Sequence, residues 1–344
     1  MRVLVLYNQP VLAPDHPDAK SEYEIIETVE LVCGYLGTAG YDVSRVAVER
    51  DPEVLLRGLR RQRPDVVFNL FEGLGDHYET EAVVAGLLDW LGIPYTGCPF
   101  ETLATARNKV LTKCLLQGAG LPTPGFFVVE EPPTPPCELE WPVIVKPANQ
   151  DASVGLDQGS VVTDQERLEA RVSHLLETYG PPVLVEEFIR GREFNVAMIE
   201  CPDLRVLPPS EILFLEKDPD FWPIVTYDAK WKPGSRDYEA TPPCHPALVS
   251  PRLAEKLGDR ARRAFRLLGC RDFARVDYRV HNGKPYILEV NPNPCFHPQG
   301  GLIGGLESVG ITHAQFTAVL VEAAAARKTM PVQFSTAAAG PRVS

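Results

Sequence analysis

Short apolar runs alternate with stretches of helical spacing over the first hundred residues, and this alternation narrows the possible folds most. Residues 3–7 are an apolar run. Residues 22–37 then place Ile25, Ile26, Val29, Val32 and Leu36 at helical intervals, and Gly40 follows as a stop. A second strand is predicted at 43–48. Asp51-Pro52-Glu53 combines a cap, a first-turn proline and an early acid, which is a helix start. A third strand is predicted at 64–70, a helix at 79–91 and a fourth short strand at 93–96. This βαβαβαβ order implies a parallel sheet covered on both faces.

The pattern then changes. A helix over 109–120 ends on glycine, and the four prolines of 130–136 mark a surface connection. Strands follow at 143–146, 160–163, 183–188, 193–199, 206–214, 274–280 and 285–290. Most are joined by turns, so this part reads as α+β. Helices are predicted at 164–179, 251–268 and 312–327. A length of 344 residues suggests two to three domains, and the end of the chain reads as a frayed tail.

Composition excludes several classes. Acidic residues number 46 against 34 basic ones, a formal charge of -12, which disfavours duplex nucleic acid or an anionic membrane as partner. No apolar run approaches the ~20 residues of a membrane span, and the first residues lack the long apolar centre of a signal peptide. None of the eight cysteines has CxxC spacing, so reduced, cytosolic thiols are expected and a zinc site is disfavoured. Gly73-Leu74-Gly75 lacks the third glycine of a dinucleotide-binding turn.

Chemistry concentrates late in the chain. Alternation puts Arg275 and Asp277 on one strand face, and Glu289 and Asn291 on one face of the next. A hairpin through His281-Asn282-Gly283-Lys284 would bring those faces together. Two carboxylates and an amide oxygen are hard ligands suited to Mg²⁺ bound with nucleotide phosphates. By spacing alone, a solvated face of cross-strand ion pairs fits equally well. Lys146-Pro147 ends an apolar strand before the small loop Ala152-Ser153-Val154-Gly155, and Glu186-Glu187-Phe188-Ile189 ends another. Singly, each also fits a strand that runs into solvated polar loop residues.

In this order the three motifs resemble the ATP-grasp superfamily, specifically the D-alanine–D-alanine ligase family. Val67-Phe68-Asn69-Leu70, Gly92-Ile93-Pro94-Tyr95-Thr96-Gly97, Asn108-Lys109 with Thr112-Lys113, and Gly120-Leu121-Pro122-Thr123-Pro124 extend the resemblance to residues 1–325. It implies an α/β N-terminal substrate domain (1–97) and two α+β domains that clasp ATP (98–182 and 183–328), with a flexible tail at 329–344. It implies ATP-dependent joining of a carboxylate to an amine through an acyl phosphate. The cofactors implied are ATP and two Mg²⁺ ions, with Mn²⁺ an admissible replacement. The partners are small-molecule carboxylate and amine substrates, and a homodimer is implied. Lys109 and Lys146 would hold the phosphates under the loop Ser153, Val154 and Gly155. Glu186, Glu187, Phe188 and Ile189 would bind adenine, and Glu193 the ribose. Asp277, Glu289 and Asn291 would be the metal ligands. Arg275 would stabilise the developing oxyanion, and Lys230 would come from a lid loop.

The substrate half departs from the family pattern. Glu72-Gly73 stands where a His-Gly is usual, and Asp76-His77-Tyr78-Glu79 where an Asp-Gly is usual. Trp231 replaces the lid tyrosine, and Ala152 replaces the serine it would bond. Asn291 runs into Pro292-Asn293-Pro294-Cys295-Phe296-His297, and the serine expected to hold a substrate carboxylate falls near Gly300-Gly301. Glu22 or Glu24 would hold a substrate ammonium, with Glu72, His77 and His297 as further pocket residues. The expectation is a ligase that joins something other than two D-alanines. The alternatives are an authentic D-alanine–D-alanine ligase of cell-wall synthesis and a nucleotide-binding module without turnover.

Overall fold

A computed structural model describes residues 1–13, 15–16, 19–74 and 77–327. The expected tail at 329–344, and Asp76, lie outside the described residues. Strands β1 (Arg2–Asn8), β2 (Asp42–Val48) and β3 (Val66–Leu70) form a parallel sheet in the order β2-β1-β3. Asp51 caps the helix Pro52–Gln62 by accepting from the Glu53 amide. The short strand expected at 93–96 reduces to one parallel bridge, Tyr95 to Val67. Pro94 brings no N–H to a ladder, and Gly97 turns the chain away at φ 93°. The helix Phe100–Arg107 went unpredicted, because it buries only Thr102, Leu103 and Ala106.

Strands β4 (Phe126–Val129), β5 (Val143–Pro147), β6 (Val161–Val162) and β7 (Val183–Glu187) form an antiparallel sheet in the order β4-β7-β5-β6. Leu168, Val172 and Leu175 of the helix Gln165–Tyr179 bury themselves on its valines, forming a core of its own.

The third sheet holds β8 (Arg192–Glu200), β9 (Leu204–Val206), β10 (Ser210–Ile212), β11 (Pro243–Cys244), β12 (Phe273–His281) and β13 (Lys284–Asn291), all antiparallel. The single strand expected at 206–214 is split, because Pro208 and Pro209 cannot donate to a ladder. The hairpin turn at Asn282 (φ 49°) and Gly283 (φ 72°) has the positive φ pair that suits a two-residue connection.

The first and third sheets share their cores. Val3, Val5, Phe68, Phe273, Phe296, Leu302 and Phe316 belong to one buried cluster. The helix His313–Ala325, last in the described chain, therefore packs on the first sheet, and Tyr41 donates to Glu322 across the junction. At the seam, Asp272 accepts from the Gly97 amide at 2.7 Å and from Arg327 at 2.9 Å, while Asn293 accepts from the Cys98 amide at 2.9 Å.

Candidate functional site

The site begins with the register of β12 and β13. Asp277 pairs with Glu289 and Arg275 with Asn291, whereas nearer the turn Tyr278 pairs with Ile287. Leu288 is therefore an extra residue. Counting back from the turn without it sets Glu289 on the face opposite Asp277; this bulge turns Glu289 and Asn291 onto the Arg275–Asp277 face.

Asp277 accepts from Arg275 Nε at 2.7 Å and Nη2 at 2.8 Å, from Asn195 of β8 at 2.7 Å, and from Asn291 at 3.0 Å. Asn291 also reaches Glu289 at 3.4 Å. Burial alone would raise the Asp277 carboxyl, but Arg275 holds it below its usual value. Burial likewise works against the Arg275 charge, which Asp277 more than restores. The donor set is two carboxylates and a carboxamide whose oxygen can be turned inward. No three His, Cys, Asp or Glu side chains among the described residues are placed to hold a metal by themselves. Such a set fits a hard divalent ion that takes its remaining ligands from phosphates.

The lysines come from the second sheet and the helix Lys109–Gly118, capped by Asn108. Lys109 donates to the Gln150 carbonyl and to Asp151, and Arg107 adds a 3.2 Å pair to Asp151. Lys146 pairs with Glu186 at 2.8 Å, and Lys113 pairs with the other Glu186 oxygen. Burial chiefly, with the like charge of Lys109, lowers Lys146 to about 8, against the pull of Glu289. Burial and neighbouring Lys146 draw Lys113 well below the usual lysine range, against the pull of Glu289. Glu186 is thus buried between two lysines. Glu187 accepts from the Gly125 amide at 2.9 Å, Phe188 packs edge-on to Trp222, and Ile189 is half-buried. Glu193 pairs with Arg279 at 2.9 Å, and burial raises its carboxyl despite that partner.

The small loop and the lid residues lie together. Ala152 (φ 53°) and Ser153 (φ 62°) precede Gly155 (φ 74°), where an added Cβ would come within 2.8 Å of Pro147. Val154 is buried. Ser153 donates to the Val225 carbonyl at 2.9 Å, and Trp231 Nε1 donates to the Ala152 carbonyl at 3.0 Å. The lid contact expected from a tyrosine and a serine is thus made by an indole and a backbone oxygen. Lys230 is exposed next to this contact, near enough to act on Asp277 and Glu193. A cavity of about 340 Å³ lies between loop and lid, lined by Gly155, Gln158, Tyr179, Tyr227 and Asp237. Arg275, Asp277, Glu289, Lys109 and Lys146 do not line it.

The substrate candidates divide. Glu24 accepts from Cys295 at 3.4 Å and lies 3.7 Å from His297, whose other nitrogen is 3.4 Å from Glu27. Glu72 is exposed, but partial loss of hydration in the cleft wall, then Glu81 and Glu24, push it up to about 8. Gly300 caps the helix Gly301–Glu307, and a Cβ on Gly301 would lie 3.7 Å from Arg275. Glu22 instead clamps its own loop, accepting from the Val11 amide at 2.9 Å and the Leu12 amide at 2.8 Å. His77 is exposed, and no side-chain contact among the described residues joins it to this group. Sequence reasoning missed Arg107, Asp151, Lys113, Asn195 and Arg279. Each reaches the site through partners distant in sequence; only the odd position of a lysine inside an apolar helix face hinted at Lys113.

All eight cysteines are free thiols, and no helix among the described residues is long and apolar enough to cross a membrane. A family model described as D-ala D-ala ligase C-terminus matches residues 115–322. A D-alanine–D-alanine ligase of Desulforudis audaxviator is 37% identical over 76% of this chain and 81% of its own. The uncharacterized protein y4sG of Sinorhizobium fredii is 35% identical over 67% of this chain and 65% of its own. The structure of a Bacillus anthracis D-alanine–D-alanine ligase complexed with ATP matches with a TM-score of 0.75 at 20% identity, covering 94% of this chain and 97% of that one.

Proposed function

The chain belongs to the D-alanine–D-alanine ligase family and has its ATP-grasp fold, and from that premise we propose that it is an ATP-dependent carboxylate–amine ligase with an altered substrate pocket. The observation that carries the ligase reading is the single face formed by Arg275, Asp277, Glu289 and Asn291, within electrostatic reach of Lys146. Phosphoryl transfer between anions depends on concentrated positive charge and in-line placement. Lys109 and Lys146 bind the triphosphate, and the loop from Ser153 to Gly155 closes over it with Lys230. A substrate carboxylate attacks the γ-phosphate to give an acyl phosphate and ADP. The amine then displaces phosphate through a tetrahedral intermediate, whose oxyanion Arg275 faces. Asp277, Glu289 and Asn291 are the residues that would hold Mg²⁺, which supplies charge neutralisation at the phosphates. The adenine and ribose roles of Glu186 to Ile189 and Glu193, the division at 97 and 182, the homodimer and a cytoplasmic location belong to the same reading.

The altered pocket rests on Glu72, Glu24, Cys295 and His297, which give the first-substrate side an acidic wall. The second reading, an authentic D-alanine–D-alanine ligase, is favoured by relatives that are D-alanine–D-alanine ligases, up to 37% identical. ADP release with D-alanine alone, against a panel of other amino acids and carboxylates, decides between them. Turnover that needs a substrate other than D-alanine supports the altered pocket. Robust turnover with D-alanine at physiological concentration leaves the authentic ligase standing.

A further inference from the structure

Lys113 has no place in the ligase reading, yet it is the most deeply enclosed cation near the site. It lies one helical turn beyond Lys109, on the same side of the helix. Its side chain and that of Glu186 are each 1% exposed, while Lys146 is 13% exposed. The three form a file from core to cleft, Lys113 to Glu186 to Lys146, with one Glu186 oxygen given to each ammonium. Lys113 also donates to Thr123 at 2.9 Å, and Thr123 donates to the Ile287 carbonyl of β13 at 2.8 Å. The Ile287 amide returns a bond to the Pro122 carbonyl at 2.8 Å. Ile287 lies on the turn side of the Leu288 bulge, two residues before Glu289.

We propose that Lys113 is a positioning residue: through Glu186 it sets where Lys146 presents its ammonium, and through Thr123 it fixes β13, and so Glu289, relative to that ammonium. The inference rests on the reading of Lys146 as a phosphate lysine. Its physical basis is the accounting of buried charge: Lys113 meets Glu186 Oε1 as an ion pair, without a hydrogen bond. A buried carboxylate between two ammonium groups divides its attraction between them. Without the inner ammonium, Glu186 Oε1 loses its counter-charge in the interior, and the whole carboxylate charge acts on Lys146. The ammonium is then drawn back from the cleft, and its proton is held more tightly. A residue buried this far acts only through its neighbours, as outer partners of ligands do.

The test uses the full chain and calorimetric titration with ATP, with and without Mg²⁺, from pH 6.5 to 10. Lys113→Met is expected to weaken ATP binding about tenfold or more, by analogy with lost outer partners. It should also move the basic limb of the affinity–pH curve upward, which a merely structural role would not do. Unchanged affinity together with an unmoved limb overturns the inference. Thr123→Val removes a single hydroxyl and carries the test if Lys113→Met does not fold. It is expected to leave Mg²⁺-free ATP affinity near that of the wild type and to reduce the gain on adding Mg²⁺. An undiminished gain overturns the link to Glu289. A wild-type chain that binds no nucleotide overturns the ligase reading, and this inference falls with it.

Discussion

Asp277 stands directly opposite Glu289 across the terminal hairpin, and the extra residue Leu288 is what sets them there. On the proposed ligase reading, their shared face makes the Glu289 charge part of the site that acts on the phosphates. Glu289→Gln preserves shape and removes one negative charge. ADP release should fall by about 10²–10³-fold, the scale of losing one group that stabilises charge in a transition state. ATP should still bind by calorimetry. ADP release at the wild-type rate would mean that the carboxylate pair has no catalytic part.

The proposed phosphate role of Lys146 implies a basic limit on nucleotide capture. Its pKa is about 8 in the free chain, so the ammonium is present below that pH and lost above it. The kcat/KM for ATP, which reports the free enzyme, should decline as pH rises through 8. Bound phosphates favour the charged form, so the corresponding limb in kcat should lie higher. A flat kcat/KM profile from pH 7 to 9.5 contradicts this.

The indole of Trp231 ties the lid to the small loop through the Ala152 carbonyl. Trp231→Phe keeps an aromatic ring and deletes the donor. Losing one neutral hydrogen bond costs about 0.5–1.5 kcal/mol, or roughly two- to tenfold in ATP affinity. Stopped-flow release of a fluorescent nucleotide should show the change in the off-rate. An unaltered off-rate would show that the contact does not restrain the loop.

Glu72 should make stability depend on pH in a particular direction. Its folded pKa of about 8 lies above the ordinary 4.5, so the folded chain holds a proton that the unfolded chain releases. Stability from this group is full below pH 4.5 and is lost as pH rises to 8. Glu72→Gln should therefore match the wild type in Tm near pH 5 and exceed it near pH 9. Its open surface lets salt screen the gain, so the difference should shrink at 1 M NaCl.

Asp272 is the test of the seam. It holds the Gly97 amide and the Arg327 guanidinium while itself 2% exposed. Breaking a buried pair from one side costs about 3–5 kcal/mol. Asp272→Ala should lower the urea midpoint accordingly, and a loss below about 1 kcal/mol would remove the seam from any account of stability.

Period and punctuation made much of the fold legible. The parallel unit is readable because crossover helices announce themselves, and Asp51-Pro52 marks a start with local chemistry alone. The sequence misleads where a local rule meets a distant partner. Alternation brings Arg275 and Asp277 together, but only the bulge at Leu288 adds Glu289. Glu186 reads as an exposed strand end because its two lysines come from Lys113 and Lys146, 73 and 40 residues earlier in the chain. Glu22 looks like a pocket acid because nothing in the local pattern reveals that the Val11 and Leu12 amides use it.

Because the helix His313–Ala325 closes the core of the first sheet, the two ends of the described chain form one cooperative unit, with the second sheet inserted between them. Hydrogen exchange should resolve two blocks of protection, one for residues 126–187 and one joining the remainder. The second block joins Val3 and Val5 to the helix His313–Ala325, so it cannot consolidate until that helix has been made. The middle lobe has its own core and can form earlier on the ribosome. The first sheet, its last strand ending at Leu70, then waits exposed for a helix that begins only at His313.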